Sequence, residues 1–214
     1  MSLKFDYIRD PMAIYEASFK QIRQETDLTR LPESLHALAI RVVHAAANPE
    51  IVELIDWSDG AAEAGMEALQ SGKPVLTDAQ MVVHGIIRTK LPNKNEVICT
   101  LRMDGVPGMA QRLDTTRSAA AVELWQPWVE GAVVAVGNAP TALFHLMERI
   151  SEGWPKPAVI LGFPVGFIGA AESKRALADH AAELGVPYIT LHSRLGGSAM
   201  AAAAVNALAG GNEE

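Results

Sequence analysis

The sequence predicts an α/β fold with a doubly wound, mostly parallel sheet of about five strands, helices on both faces and a helical N-terminal region. Two observations lead to this prediction. In the C-terminal half, short runs rich in β-branched residues alternate with helical segments, which is typical of βαβ units. The N-terminal third consists mostly of helical segments.

Five apolar runs are predicted to form the strands. They are PVLTD (74–78), EVICTL (96–101), VVAVG (133–137), AVILG (158–162) and YITLH (188–192). Helices are expected after the last three, ending near Gly153, Gly185 and Gly210. Upstream helices are expected at 11–26, 32–50 and 59–72, with Pro11 and Pro32 as first helical residues.

Length and composition restrict the class of protein. With 214 residues, about half of them apolar, the chain is expected to form one domain over 1–214. It has no apolar run of roughly 18 residues and no signal peptide at its start, so we expect a cytoplasmic protein without membrane contact. The formal charge of -7 and the scattered basic residues argue against nucleic-acid binding.

The cysteine and the histidines do not suggest a metal centre. Cys99 is the single cysteine, which excludes an internal disulfide and a thiolate cluster, and its apolar neighbours indicate an inert, buried thiol in a strand. None of the six histidines pairs with another at the i,i+4 spacing of a helical metal site. The sequence therefore predicts no bound metal.

A glycine-rich turn lies in ILGFPVGFIGAAESKRAL (160–177), between a predicted strand and a predicted helix. Gly162, Gly166 and Gly169 match neither the dinucleotide fingerprint nor the phosphate loop, although Lys174 follows them. Glycines allow backbone to approach a ligand, and the amides that begin a helix favour negative charge. Gly166 and Lys174 are therefore candidates for ligand binding, and a plain strand-to-helix turn is the alternative.

Two further helix starts carry arginines. In DTTRSAAAVELW, a threonine at 115 or 116 would cap a helix and Arg117 would lie in its first turn, where a cation is unfavourable unless an anion binds nearby. In RLGGSAM, Arg194 precedes two glycines and Ser198 leads into the last helix. Three such positive helix starts indicate a ligand with several negative groups, whereas ordinary surface arginines are the alternative.

Arg41 and His44 share one face of the helix LAIRVVHAAANP because they are three residues apart. The helix is apolar almost all round, so both side chains would be partly desolvated unless they line a pocket. Histidine can exchange a proton near neutral pH, although a lone histidine in such a helix is more often a satisfied core residue. Ser18 and His84 are weaker candidates on neighbouring segments.

Several of these motifs together resemble the precorrin-8X methylmutase family. The motifs are YIRDPMAIYEASF, RVVHAAANPE, TDAQMVVHGIIR, NEVICTLR, TTRSAAAVELW, VGNAPTALFHL, ILGFPVGFIGAAESK and RLGGSAM. The resemblance covers nearly the whole chain, and NAPTAL and PVGFxGAAESK are its most specific parts. YIRDPMAIYE is similar to the aerobic, metal-free branch, and the loop GVPGMAQRLD (105–114) departs most from the family pattern.

The resemblance implies a cofactor-free isomerase that moves a methyl group from C11 to C12 of a tetrapyrrole, giving hydrogenobyrinic acid. It also implies a homodimer with active sites near the subunit interface and hand-over to neighbouring pathway enzymes. The catalytic histidine of the family matches His44, and its substrate-contacting serine and arginine match Ser18 and Arg41. Arg117 is expected to reach a substrate across the dimer.

Two other functions stay open at this point. A non-catalytic tetrapyrrole-binding or carrier protein would keep the pocket and the cationic anchors without a titrating residue. A nucleotide-dependent α/β enzyme is the third interpretation, and the missing glycine fingerprints argue against it. In the isomerase interpretation, substrate carboxylates are the anions that the positive helix starts would bind.

Overall fold

A six-stranded sheet lies at the centre of the computed structural model, which describes residues 3–210. The strands are β1 (Ile55–Trp57), β2 (Val75–Thr77), β3 (Val97–Ile98), β4 (Val133–Val136), β5 (Val159–Gly162) and β6 (Tyr188–Leu191). Their order is β1-β6-β5-β4-β2-β3. Among these six strands, β1 and β6 form the one antiparallel pair, and the other four pairs are parallel. The prediction of a mostly parallel sheet is therefore confirmed.

Helices cover both faces of the sheet, as predicted. Residues 3–210 contain α1 (Pro11–Glu25), α2 (His36–Ala46), α3 (Ala61–Gln70), α4 (Gln80–Gly85), α5 (Val106–Arg112), α6 (Arg117–Val122), α7 (Pro140–Ser151), α8 (Ala170–Leu184) and α9 (Ser198–Gly210). None of these helices combines the length and apolar character that a membrane span needs.

The two faces of the sheet bury separate apolar clusters. Along β4, Val133 and Ala135 pack with α2, α3 and α9, whereas Val134 and Val136 pack with α6, α7 and α8. This alternation follows from the two-residue period of a strand. The residues of β4, β5 and β6 are all buried, as expected for parallel strands that are covered on both sides.

The structure corrects four details of the sequence prediction. It adds β1 as a sixth strand, which is short and lies at the sheet edge. The segment 105–114, predicted as a loop, contains α5, because Gly105 and Pro107 begin a helix there. Cys99 lies just after the two-residue β3 and is half-buried rather than enclosed in a strand. Pro32 precedes a 3-10 turn, and α2 begins only at His36.

The carboxyl ends of β2, β4, β5 and β6 meet at one edge of the sheet, which we call the carboxyl edge. The chain order reverses between β2 and β4, because β3 lies on one side of β2 and β4, β5 and β6 continue on the other. Ligands of open α/β sheets bind outside the carboxyl ends near such a point. Helices α7, α8 and α9 all begin at this edge.

Candidate functional site

Helices α1 and α2 bring Ser18 and His44 together. Asp10 caps α1 by accepting hydrogen bonds from the backbone N–H groups of Met12 and Ala13, and Pro11 is the first helical residue. Ser18 Oγ lies 3.1 Å from His44 Nδ1. The imidazole is exposed and stacks on the Phe19 ring, with 5.0 Å between ring centroids and 23° between planes. The hydroxyl and the aromatic ring therefore orient an accessible imidazole.

Arg41 lies one helical turn before His44 and is only 9% exposed. Its Nη2 donates a hydrogen bond to Tyr15 Oη at 3.1 Å, and its guanidinium lies 5.7 Å from the centroid of the Phe19 ring. Tyr15 and Phe19 are four residues apart on α1, so both reach the same face of α2. Phe19 thus contacts the two side chains that the sequence analysis selected on α2.

These side chains line a cavity of about 280 Å³ between α1, α2, α4 and α9, which we call the His44 cavity. Its lining residues are Tyr15, Phe19, Arg41, His44, Ala45, Gly85, Ile87, Ala199, Ala202, Ala203 and Asn206. The alanines of α9 form an apolar wall. A second cavity of about 260 Å³ lies on the Ser18 side of His44. The imidazole therefore lies in a cleft and is not sealed in the core.

His84 and Ser198 lie on elements that border the His44 cavity. His84 is exposed and directly precedes Gly85 at the end of α4. Ser198 is the first residue of α9, and its backbone approaches Gly137 so closely that a Cβ there would lie 2.8 Å from the Ser198 Cα. The first residue of α9 is therefore packed closely against the turn after β4.

The glycine-rich turn mainly joins two loops at the carboxyl edge. The Gly166 amide donates to the Arg194 carbonyl at 3.3 Å, and a side chain at Gly196 would collide with the Phe163 carbonyl. Arg194 itself is exposed and lies over the Phe167 ring. We call the loops 163–169 and 192–197 the paired turns.

Lys174 lies behind the paired turns with 0% of its side chain exposed. Its ammonium group donates a hydrogen bond to the Leu195 carbonyl. Burial lowers the pKa of this group from 10.5 to about 8. Lys174 therefore fastens the second of the paired turns, and its ammonium does not line the His44 cavity.

Arg117 lies at a third place on this edge. Thr116 caps α6 by accepting from the Ala119 amide at 3.1 Å, which confirms the predicted cap, and its hydroxyl contacts that of Thr141 at 2.8 Å. Arg117 lines a cavity of about 680 Å³ together with Asp114, Thr115 and residues of α5. This cavity shares no lining residue with the His44 cavity.

Asp78 occupies the point where the strand order reverses. Its buried carboxylate accepts hydrogen bonds from the amides of Gly137, Asn138 and Ala139 at 2.8, 3.0 and 2.6 Å. Burial raises the pKa of this carboxyl, while the three amides oppose the increase. Consecutive amides of this kind receive phosphate in nucleotide-binding folds. Here they already bind an internal anion, which agrees with the absence of nucleotide fingerprints.

The described residues contain no cluster of three or more His, Cys, Asp or Glu side chains that could hold a metal ion. The structure does add residues that sequence reasoning missed: Tyr15, Phe19, Asp78 and Asn206. Tyr15 and Phe19 have the i,i+4 spacing of one helix face, and Asn206 is a lone amide in the alanine-rich α9. Asp78 directly follows a buried strand. The helical spacing, the lone amide and this carboxylate after a strand are the sequence signals that could have identified the four residues.

The fold and the His44 cavity define an α/β protein with a candidate small-ligand site, built from an imidazole, a buried guanidinium and an apolar helix wall. A family model described as "CbiC: Precorrin-8X methylmutase" matches residues 13–210. The chain belongs to the precorrin-8X methylmutase family, whose members are intramolecular methyl-transferring isomerases of cobalamin biosynthesis.

Individual relatives agree with this family. A Pseudomonas aeruginosa protein named precorrin-8X methylmutase is 55% identical over 204 residues, which cover 95% of this chain and 97% of that protein. A Sinorhizobium protein of the same name is 53% identical over 206 residues, covering 96% and 97%. A Priestia megaterium protein named cobalt-precorrin-8 methylmutase is 36% identical over 199 residues, covering 92% and 87%. The higher identities agree with the aerobic branch indicated by YIRDPMAIYE.

A solved structure has the same fold. The crystal structure of precorrin-8X methylmutase from Thermus thermophilus superposes with a TM-score of 0.83 at 39% identity, covering 92% of this chain and 94% of that one. The predicted α/β class and the predicted family are therefore both confirmed.

Proposed function

We propose that this protein converts precorrin-8X into hydrogenobyrinic acid by moving the C11 methyl group to C12, with His44 exchanging a proton with the ring. The observation that supports this role most strongly is the placement of the imidazole. His44 is exposed in a cavity with an apolar alanine wall, contacts Ser18 and Phe19, and lies one helical turn from Arg41. An accessible, oriented imidazole is the group that general acid-base catalysis requires.

Ser18 engages Nδ1, so Nε2 is the ring nitrogen for exchange with the substrate. A hydroxyl that donates to Nδ1 selects the tautomer in which Nε2 carries the proton. Transfer of that proton to a ring nitrogen withdraws electrons from the conjugated path and eases methyl migration. The C11–methyl bond breaks as the C12–methyl bond forms, and the proton then returns to His44, so the overall reaction is an isomerisation.

The substrate is a broad apolar ring that carries several acetate and propionate carboxylates. The alanines of α9 suit the ring face, and Arg41, Arg117 and Arg194 are the proposed carboxylate anchors. Guanidinium groups bind carboxylates through paired hydrogen bonds. The proposed recognition therefore combines one apolar wall with cations from several parts of the chain. His84 and Ser198 lie on elements that border the cavity, while Gly166 and Lys174 hold the paired turns that carry Arg194.

We further propose that the protein acts as a homodimer. The His44 cavity, at about 280 Å³, lies at the lower limit of pockets that bury drug-sized ligands, roughly 300–1,000 Å³, so a tetrapyrrole needs additional walls. The segment around the start of α1, the helix that contributes Tyr15 and Phe19 to this cavity, exposes the apolar side chains of Phe5, Tyr7, Ile8, Met12 and Ile14. A second copy could cover these side chains and bring its Arg117 to the substrate.

Two further proposals concern the domain organisation and the location of the protein. Helices from both ends of the described residues, α2 and α9, pack together and line the same cavity, which supports one unit over 1–214. We also propose a cytoplasmic location, where the product would be handed to neighbouring pathway enzymes.

A visible-absorption assay separates the isomerase from the carrier alternative. Methyl migration changes the conjugation of the ring, so mixing the protein with precorrin-8X should convert the substrate spectrum into that of hydrogenobyrinic acid over many turnovers. A carrier would shift the spectrum once, in proportion to the protein added, and would leave the extracted tetrapyrrole unchanged. Extraction of unchanged precorrin-8X would therefore overturn the proposed activity.

A further inference from the structure

Asn206 is a buried amide that joins α9 to the segment after α4. Its Nδ2 donates to the Gly85 carbonyl at 3.0 Å, and its Oδ1 accepts from the Ile87 amide at 2.8 Å. The side chain is 6% exposed. One amide therefore satisfies the Gly85 carbonyl, which has no helical partner at the C-terminus of α4, and the Ile87 N–H, which lies beyond the helix.

Close packing holds the same segment against α9. A Cβ built on Gly85 would lie 2.7 Å from the Ala202 Cβ, so any larger residue at position 85 would force α4 and α9 apart. Gly85 and Ile87 line the His44 cavity from one side, while Ala202 and Asn206 line it from α9. The amide and the glycine thus fix one cavity wall relative to another.

Asn206 would destabilise the packing of helix α9 if its side-chain amide had no hydrogen-bond partners. The rest of α9 is alanine, valine, leucine and other mostly apolar residues, and a buried amide is tolerated only when its hydrogen bonds are made. A leucine of similar size would pack against the same apolar surroundings but could not determine where the backbone of 85–87 lies. The hydrogen bonds of Asn206 therefore determine where the backbone of residues 85–87 lies, which burial of an apolar side chain would not do.

We propose that Asn206 is a positioning residue that holds Gly85–Ile87 as a wall of the His44 cavity, against which the tetrapyrrole ring packs. The inference rests on the proposed function and adds a substrate-positioning role for α9. Loss of the amide hydrogen bonds leaves the His44–Ser18 pair intact but displaces the wall. The expected consequence is weaker binding of the tetrapyrrole, seen mainly in KM.

Asn95 provides a matched control. It is also a buried asparagine that donates to two backbone carbonyls, those of Leu69 and Lys73, each at 2.8 Å. It lies before β3, at the opposite edge of the sheet from the cavity. Asn95→Leu and Asn95→Asp therefore report the stability cost of losing a buried amide without a change at the cavity.

The experiment measures KM and kcat for precorrin-8X in Asn206→Leu, Asn206→Asp and the two Asn95 variants. Ring contacts with this wall stabilise the bound substrate and the transition state equally, so their loss should raise KM about tenfold in Asn206→Leu and leave kcat nearly unchanged. The Asn95 variants should keep the KM of the unmodified protein. Equal KM values in the Asn206 and Asn95 variants would overturn the inference.

Two further measurements keep the test decisive. Gly85→Ala should also raise KM, and Ala202→Gly in the same chain should restore it by making room for the added methyl group. The Ile87 amide should exchange its hydrogen faster in Asn206→Leu, which removes the Oδ1 acceptor. Asn206→Asp retains that acceptor but loses the donor to the Gly85 carbonyl, so it should still raise KM and serves if the leucine variant fails to fold. Unchanged exchange of the Ile87 amide in Asn206→Leu would contradict the inference that Asn206 holds this cavity wall. An unmodified protein without any turnover would instead refute the proposed function.

Discussion

The His44 cavity and the paired turns differ in what their polar groups do. At the edge of the cavity, His44 bonds to Ser18 and remains accessible, and both residues lie on long helices without glycine. In the paired turns, the Gly166 amide and the Lys174 ammonium bond to carbonyls of the opposite loop, and Lys174 is fully buried. The first region leaves its polar groups accessible to a ligand, whereas the second uses its polar groups to hold loops together.

The comparison shows that a distinctive motif does not by itself mark the chemistry. PVGFIGAAESK is the part of the chain that most suggests an anion site, yet its described contacts are largely internal. The catalytic candidate instead lies in an unremarkable helix, where an exposed imidazole and a buried guanidinium interrupt an apolar pattern. The predictions below separate the stabilising role of the turns from the binding role of the cavity.

The largest expected effect is on stability at the turn after β4. Asp78→Ala leaves three backbone amides, two of them buried, without an acceptor, which should cost about 3 kcal/mol of unfolding free energy. Urea unfolding measures this loss, and Asp59→Ala, at an exposed site before α3, is the control. Similar losses in the two variants would show that the carboxylate does not hold this turn.

The next effect is on binding in the cavity. Arg41→Met keeps most of the apolar stem but removes the guanidinium, and a charged hydrogen bond contributes about 1.5–3 kcal/mol. The Kd for hydrogenobyrinic acid should therefore rise roughly 10- to 150-fold, as measured by absorbance titration. Arg175→Met changes an exposed arginine of α8 and should keep the original Kd. An unaltered Kd in Arg41→Met would remove Arg41 from the binding site.

Lys174 should produce a smaller effect that depends on pH. Its pKa falls from 10.5 to about 8 on folding, so above pH 8 the unfolded chain binds more protons and stability rises with pH. Relative to Lys174→Met, the unmodified protein should gain about 1 kcal/mol between pH 7 and pH 9. Thermal unfolding at both pH values tests this, with the exposed Lys20→Met as the control. Parallel pH dependence in the unmodified protein and Lys174→Met would contradict the burial of a titrating ammonium.

Ser18 should give the smallest change. Ser18→Ala removes one hydrogen bond to the imidazole, worth about 1 kcal/mol, so turnover should fall roughly fivefold. Ser18→Thr retains a hydroxyl and should recover most of the rate. A loss of the same size in both variants would indicate that crowding at position 18, rather than the hydrogen bond to Nδ1, limits the reaction.

The sequence was sufficient to predict the regular parts of the fold. The apolar runs of β4, β5 and β6 and the proline at the start of α1 are local signals, and the structure agrees with them. The three-residue β1 and the helix α5 carry weak local signals: the former depends on pairing with β6, and the latter begins at a glycine and a proline that also suit a loop.

The candidate site was only partly predictable, because some of its contacts join segments that are distant in the sequence. The spacing of Arg41 and His44 on one helix face is a local property, so their proximity followed from the sequence. The burial of Lys174 and the bridge from Asn206 to Gly85 depend on contacts between distant segments, which no local pattern specifies. The apolar surroundings of Asn206 indicate a required hydrogen-bond partner but not which segment provides it.

Single-turnover kinetics of His44→Ala test the central claim most directly. If the imidazole exchanges the proton that eases methyl migration, the rate should fall about a hundredfold or more, while hydrogenobyrinic acid still binds. His180→Ala, an exposed histidine on α8, should react at the original rate. A His44→Ala protein that converts precorrin-8X as fast as the unmodified protein would contradict the claim.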